Sequence, residues 1–182
     1  MIIQRLASND VSITTDRRVS FYAALYGAET RIDEGRKSYM ETISSQAFTD
    51  FLRTSGEVLG TVNHLPNYTY AKRTDGSLLL QSDKKGLFTS SYLPDNEVGD
   101  YVYTAYKQNR VKGASFQSVP MLSRTRPDGV VERESLYLYD VTIAIDALPA
   151  YPQTATQVVV RLKQNYEQQL AMFNYQKMKL GL

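Results

Sequence analysis

Three turn signals cut the middle of the chain into short extended runs, and no other feature limits the fold so tightly. Thr74-Asp75-Gly76 and Asp83-Lys84-Lys85-Gly86 flank Ser77-Leu78-Leu79-Leu80-Gln81 and Leu87-Phe88-Thr89-Ser90-Ser91. Asp ties its side chain to nearby backbone and Gly takes positive φ freely, so this region predicts antiparallel strands joined by tight turns. Pro127-Asp128-Gly129 is the third signal. It separates a strand over 110–119 from residues 130–146, where alternation resumes. There Glu132, Glu134, Leu136, Leu138 and Asp140 share one face, and Tyr137, Tyr139, Val141 and Ile143 take the other. Residues 18–26, rich in aromatic and small apolar types and ending at Gly27, predict one more buried strand.

Helical spacing is rarer. Residues 44–53 open with Ser44 and Ser45 as candidate caps and space Phe48, Phe51 and Leu52 at helical intervals, with Gly56 beyond. Residues 96–109 place Val98, Tyr101, Val102, Ala105 and Tyr106 on one stripe, with acids early and Lys107 and Arg110 late, as the helix dipole favours. Short strands with few helices give an α+β, β-rich domain, expected to be a partly closed antiparallel barrel with peripheral helices. Leu148-Pro149-Ala150-Tyr151-Pro152 stops regular structure, so the expected division is a domain over 1–152 and a tail over 153–182. From 154 to 180, Val158, Leu162, Tyr166, Leu170 and Phe173 recur at helical spacing, predicting one long amphipathic helix. It either packs back on the domain, self-associates, or tethers the domain to another assembly component.

Composition removes several function classes. There are no cysteines and one histidine, so disulfides, thiolate metal sites, a cysteine nucleophile and a multi-histidine zinc centre are excluded. No cofactor and no metal are expected. The formal net charge is +2 with basic residues scattered among acids, which does not demand nucleic acid or an anionic membrane. Lys107, Arg110, Lys112, Arg124 and Arg126 could form a basic nucleic-acid-facing surface, but such a set reads more simply as a solvated face. The chain shows no apolar run of membrane-spanning length, and Met1-Ile2-Ile3-Gln4-Arg5 lacks the pattern of a signal peptide, so it is expected to stay in the cell that makes it.

Two residues carry candidate chemistry. In an extended 110–119 segment, Val111, Gly113, Ser115, Gln117 and Val119 share a face, and Gly113 leaves bare backbone beside the Ser115 hydroxyl. That suits an incoming carbonyl, or simply a bulge. Val58-Leu59-Gly60-Thr61-Val62-Asn63-His64-Leu65-Pro66 delivers His64 to a strand end, just before a proline-bounded turn. An imidazole there is either a general base or a hydrogen-bonded structural residue.

The order of four segments resembles the prohead (capsid-maturation) serine proteases of tailed double-stranded DNA phages, whose fold resembles that of herpesvirus assemblin. Phe21-Tyr22-Ala23-Ala24-Leu25-Tyr26-Gly27 is similar to the family's opening strand, and Met40-Glu41-Thr42-Ile43 through Gln46-Ala47-Phe48 to its Phe-x-Glu-x-Ile and Gly-Ala-Phe segment. Asn63-His64 followed by Pro66 resembles Asn-His-Asp-Pro, and Gly113-Ala114-Ser115-Phe116 resembles Gly-Met-Ser-Phe. Asp75-Gly76-Ser77-Leu78, Lys85-Gly86-Leu87 and Pro149-Ala150-Tyr151-Pro152 fall where the family has similar runs. The chain departs from the pattern at Gln117-Ser118, where the family has Gly-Phe, and at Asp140-Val141-Thr142, where it has Glu-Val-Ser.

The resemblance implies a serine endopeptidase with His64 and Ser115 catalytic and Asp140 as the third member, Glu134 being the alternative acid. At about 3.3 Å per residue these two acids lie roughly 20 Å apart on one strand, so at most one can orient His64. It also implies partners: a scaffold protein, or the scaffold domain of the major capsid protein, met by a homo-oligomer inside the assembling procapsid in the host cytoplasm. The competing reading is a non-catalytic β-rich assembly or scaffolding module acting through its C-terminal helix. One contact separates the two, that between His64 and Ser115.

Overall fold

A computed structural model describes residues 3–8, 11–34 and 37–146. Its longest elements are Val111–Thr125 (β10) and Val131–Ile145 (β11), paired antiparallel across the Pro127-Asp128-Gly129 turn. The turn closes as expected: Gly129 N donates to Arg126 O (2.9 Å), Arg126 N to Val130 O (2.9 Å), and Gly129 takes φ 84°. At the opposite end both faces are covered, with residues 113–118 and 140–145 all buried.

Because β11 is so long, its edge away from β10 serves two strands in turn. Lys37–Ile43 (β5) pairs with residues 131–133 and Leu59–Val62 (β6) with residues 140–143, both parallel to β11. Ile3–Ser8 (β1) lies outside β10, Thr30–Glu34 (β4) outside β5, and Leu65–Lys72 (β7) outside β6. The second sheet is antiparallel and runs Ser12–Ile13 (β2), Arg18–Leu25 (β3), Gly86–Tyr92 (β9), Leu78–Ser82 (β8). The expected β-rich architecture is present, as is the hairpin of β8 and β9. The expected antiparallel barrel is not: among the described residues there are two sheets and no closed barrel, and one sheet is mixed. The parallel pairs follow from the crossovers that bring β5 and then β6 to the same edge of β11.

Val19, Phe21 and Leu87 from one sheet and Phe116, Leu138 and Ile143 from the other share one core. Phe116 meets Phe48 edge-to-face at 5.7 Å, which anchors β10 from the core side. Burying a side chain of that size contributes about 1.5–3 kcal/mol. The helix expected over 44–53 is shorter, Thr49–Leu52 (α1), because its cap serines do not cap it. Ser44 Oγ instead accepts from Gln46 N (3.3 Å), and Arg73 donates to Leu52 O (2.8 Å), Thr54 O (2.8 Å) and Gly56 O (3.1 Å) just past its end. Glu97–Lys107 (α2) matches its expectation, with Asn96 Oδ1 accepting from Val98 N and Gly99 N as N-cap. The expected domain edge at 148–152 and tail helix lie outside the described residues.

Candidate active site

Two residues, Asn63 and His64, join β6 to β7, and Val62 pairs with Leu65 across them. A two-residue hairpin turn of this hand needs positive φ at both positions, and they take 51° and 58°. Asn accepts that region readily, while for histidine it costs about 1–2 kcal/mol. The turn is therefore held from outside, along β11. Asn63 N donates to Ile143 O (3.1 Å), Asn63 Nδ2 to Ile145 O (2.9 Å), and Ile145 N to Asn63 Oδ1 (2.9 Å). His64 N donates to Thr142 Oγ1 (2.9 Å). Sequence spacing put His64 on a strand end before a proline-bounded turn. In fact His64 is the turn, and Pro66 sits inside β7. Among the described residues β7 pairs with β6 alone, and an edge strand tolerates a proline that lacks an N–H.

From this turn the imidazole reaches across β11 to β10. His64 Nδ1 lies 2.8 Å from Asp140 Oδ1, and His64 Nε2 lies 3.1 Å from Ser115 Oγ. Ser115 is 5% exposed, and the side chains of His64 and Asp140 are 10% and 8% exposed. Ser115 pairs with Thr142 and Gln117 with Asp140 in the β10–β11 ladder, so period-2 alternation turns the hydroxyl and the carboxylate to one face. A carboxylate accepts only, which places the imidazole proton on Nδ1 and leaves Nε2 to accept from the Ser115 hydroxyl. Burial keeps competing water off these short contacts.

The sequence missed the support around this line. Thr142 Oγ1 donates to Thr61 O (2.9 Å) and accepts from Thr61 Oγ1 (3.0 Å), and both threonines are buried. Period-2 spacing from Asp140 to Thr142 was the available signal. Tyr70 is also buried beside the site, and its ring leaves no room for a side chain at Gly60, where a Cβ would stand 2.9 Å away. Burial, and then the charge of Asp140, push the Tyr70 phenol well above its ordinary range. Gly113 occupies a β-bulge with φ 152°, so the bulge reading of this glycine is the one the backbone adopts.

Glu134 is not brought to His64. It faces Arg124, whose Nε lies 3.0 Å from Glu134 Oε1. Two register shifts of the ladder separate it from Asp140. The basic residues read as a possible surface resolve into local pairs: Arg110 with Asp146, Arg124 with Glu132 and Glu134, Arg126 with Glu29 and Asp128. Lys112 Nζ donates to Asn109 O (3.2 Å), and Lys107 stands over the Tyr103 ring.

A hydroxyl, an imidazole and a carboxylate hydrogen-bonded in that order form the constellation that serine hydrolases use, recognised by geometry rather than by position in the chain. A family model described as Caudovirus prohead serine protease matches residues 5–169, and the chain belongs to that family of serine peptidases of phage capsid maturation. The matched segment runs past Pro152. No curated protein and no solved structure matches the chain.

Proposed function

We propose that this protein is a serine endopeptidase that cleaves scaffold and capsid-protein segments, and its own chain, during procapsid maturation, with Ser115, His64 and Asp140 as its catalytic residues. Ser115 Oγ attacks the scissile carbonyl as its proton passes to His64 Nε2. Asp140 holds the imidazole in the required tautomer and stabilises the imidazolium that forms. The imidazolium then gives the proton to the leaving amine, and a water repeats the cycle on the acyl-enzyme. The observation that supports this reading is the single imidazole bridging Asp140 at 2.8 Å and Ser115 at 3.1 Å.

Within this reading the peptidase domain spans 1–152 and residues 153–182 mediate association. The enzyme works as a homo-oligomer inside the assembling procapsid in the host cytoplasm, where its partner is the scaffold protein or the scaffold domain of the capsid protein. The test uses a matched scaffold or capsid substrate with Ser115→Ala, His64→Ala and the double variant. Members of one nucleophile-base unit fail together, so the double variant should be no worse than either single one. Two merely structural residues would instead lose stability roughly independently. Full activity in folded Ser115→Ala would sink the assignment.

A further inference from the structure

We infer that Thr142 is a positioning residue of the hydrolytic site, fixing the backbone of His64 so that its ring can span Asp140 and Ser115. The inference rests on the proposed roles of Ser115 and His64, and it gives a role to Thr142, which the sequence reading met only as a departure from Glu-Val-Ser. A threonine hydroxyl offers one proton and two lone pairs. In Thr142 all three are committed: the proton goes to Thr61 O (2.9 Å), and the lone pairs take His64 N (2.9 Å) and Thr61 Oγ1–H (3.0 Å). The side chain is 1% exposed, so no water competes for these positions. Thr61, itself 0% exposed, thereby fixes the rotor of the Thr142 hydroxyl, and the hydroxyl fixes the amide of His64.

That amide needs fixing. His64 stands at φ 58°, a region that only a few per cent of non-glycine residues occupy, and relaxation of that torsion would swing the ring out of the line between Asp140 and Ser115. The ring cannot follow such a change with two contacts as short as 2.8 and 3.1 Å at its two nitrogens. Thr142 also pairs directly with Ser115 across the β10–β11 ladder. The backbone that carries the nucleophile and the hydroxyl that holds the base are thus referred to one register.

The test uses the full-length chain and a fluorophosphonate probe, whose phosphorus Ser115 Oγ would attack with loss of fluoride, followed by intact mass. The saturating rate and the half-saturating concentration are read separately, and folding is checked by thermal melting. Thr142→Val keeps the shape and removes the hydroxyl, so its saturating rate should fall about 10- to 100-fold with the half-saturating concentration little changed, because misplacement of a base by about 1 Å costs on that order. Thr142→Ser restores the hydroxyl and should recover most of the rate. A role confined to packing would lower the melting temperature and leave the rate of the folded protein untouched. Folded Thr142→Val reacting at the wild-type rate overturns the inference, as does Thr142→Ser being as slow as Thr142→Val. If Thr142→Val does not fold, Thr142→Ala decides by the same readings. Wild-type protein as unreactive as Ser115→Ala would instead overturn the hydrolytic reading beneath it.

Discussion

Asp140 and Thr142, two residues apart on one strand, hold the two ends of one histidine: the carboxylate takes the ring at Nδ1 and the hydroxyl takes the backbone amide. Alternation along β11 puts both side chains on one face, and the parallel pairing of Asp140 with Leu59 and Thr142 with Thr61 sets that face against β6. A one-residue slip of β6 on β11 would lose both contacts together. Register between two strands therefore determines the geometry of the site.

The acid is the most direct element to test. Asp140→Asn keeps the shape but offers an amide where His64 Nδ1 needs an acceptor, and a loss of this kind costs about 10⁴-fold in kcat in a serine triad. Folding should change little. Glu134→Gln should stay within roughly twofold, since Glu134 faces a partly exposed Arg124 and such pairs contribute little. Steady-state rates of both variants on one peptide settle the choice, and a damaging Glu134→Gln would move the acid to that residue.

Far from the site, Arg133 and Glu41 form an ion pair at 2.7 Å, their side chains 8% and 0% exposed. Arg133 also donates to Ser123 Oγ and Tyr39 Oη. Arg133→Met should destabilise the protein by about 3–5 kcal/mol in urea denaturation at neutral pH, because it removes the charged partner of a buried carboxylate. Pairing it with Glu41→Leu should recover much of that loss. A single variant as stable as the parent would mean that the pair contributes nothing net to folding.

How much of this was legible beforehand varies with the kind of interaction. The turns at Asp83 and Asp128 act over two or three residues, so the sequence states them: Asp83 Oδ1 takes Lys85 N and Gly86 N, and Asp128 Oδ1 takes Val130 N. Asp140 could be favoured over Glu134 only through motif likeness. Which of the two acids meets His64 depends on where β6 pairs along β11, which no local pattern announces. The barrel expectation failed for a similar reason, since parallel pairing of β5 and β6 to one strand is a long-range fact. His64 was placed on a strand end because Val58-Leu59-Gly60-Thr61-Val62 reads as one. Asn63 in the turn position was the overlooked cue.

The rate should be higher in the neutral than in the acid range, since only an imidazole with a free Nε2 lone pair can accept the proton of Ser115. Cysteine reagents and chelators should leave the rate unchanged. The measurement is the rate on a short peptide across the acid and neutral range, with thermal melting at each pH to exclude unfolding. A flat profile would point away from His64 as the base.

The residues beyond Pro152 give the last test, because two boundaries compete there. Composition and the closing Pro149-Ala150-Tyr151-Pro152 run put the end of the peptidase domain at 152, whereas the family match continues to 169. Val158, Leu162, Tyr166, Leu170 and Phe173 repeat at a spacing that suits association, and none of the three proposed catalytic residues, His64, Ser115 and Asp140, lies in this segment. A chain ending at Pro152 should therefore keep its rate on a short peptide and lose oligomer mass in light scattering. A chain ending at residue 169 serves as the control. If the shorter chain is folded but inactive while the longer one works, residues 153–169 belong to the catalytic unit and the domain ends near 169. If both keep the parent mass and rate, the segment serves neither chemistry nor association.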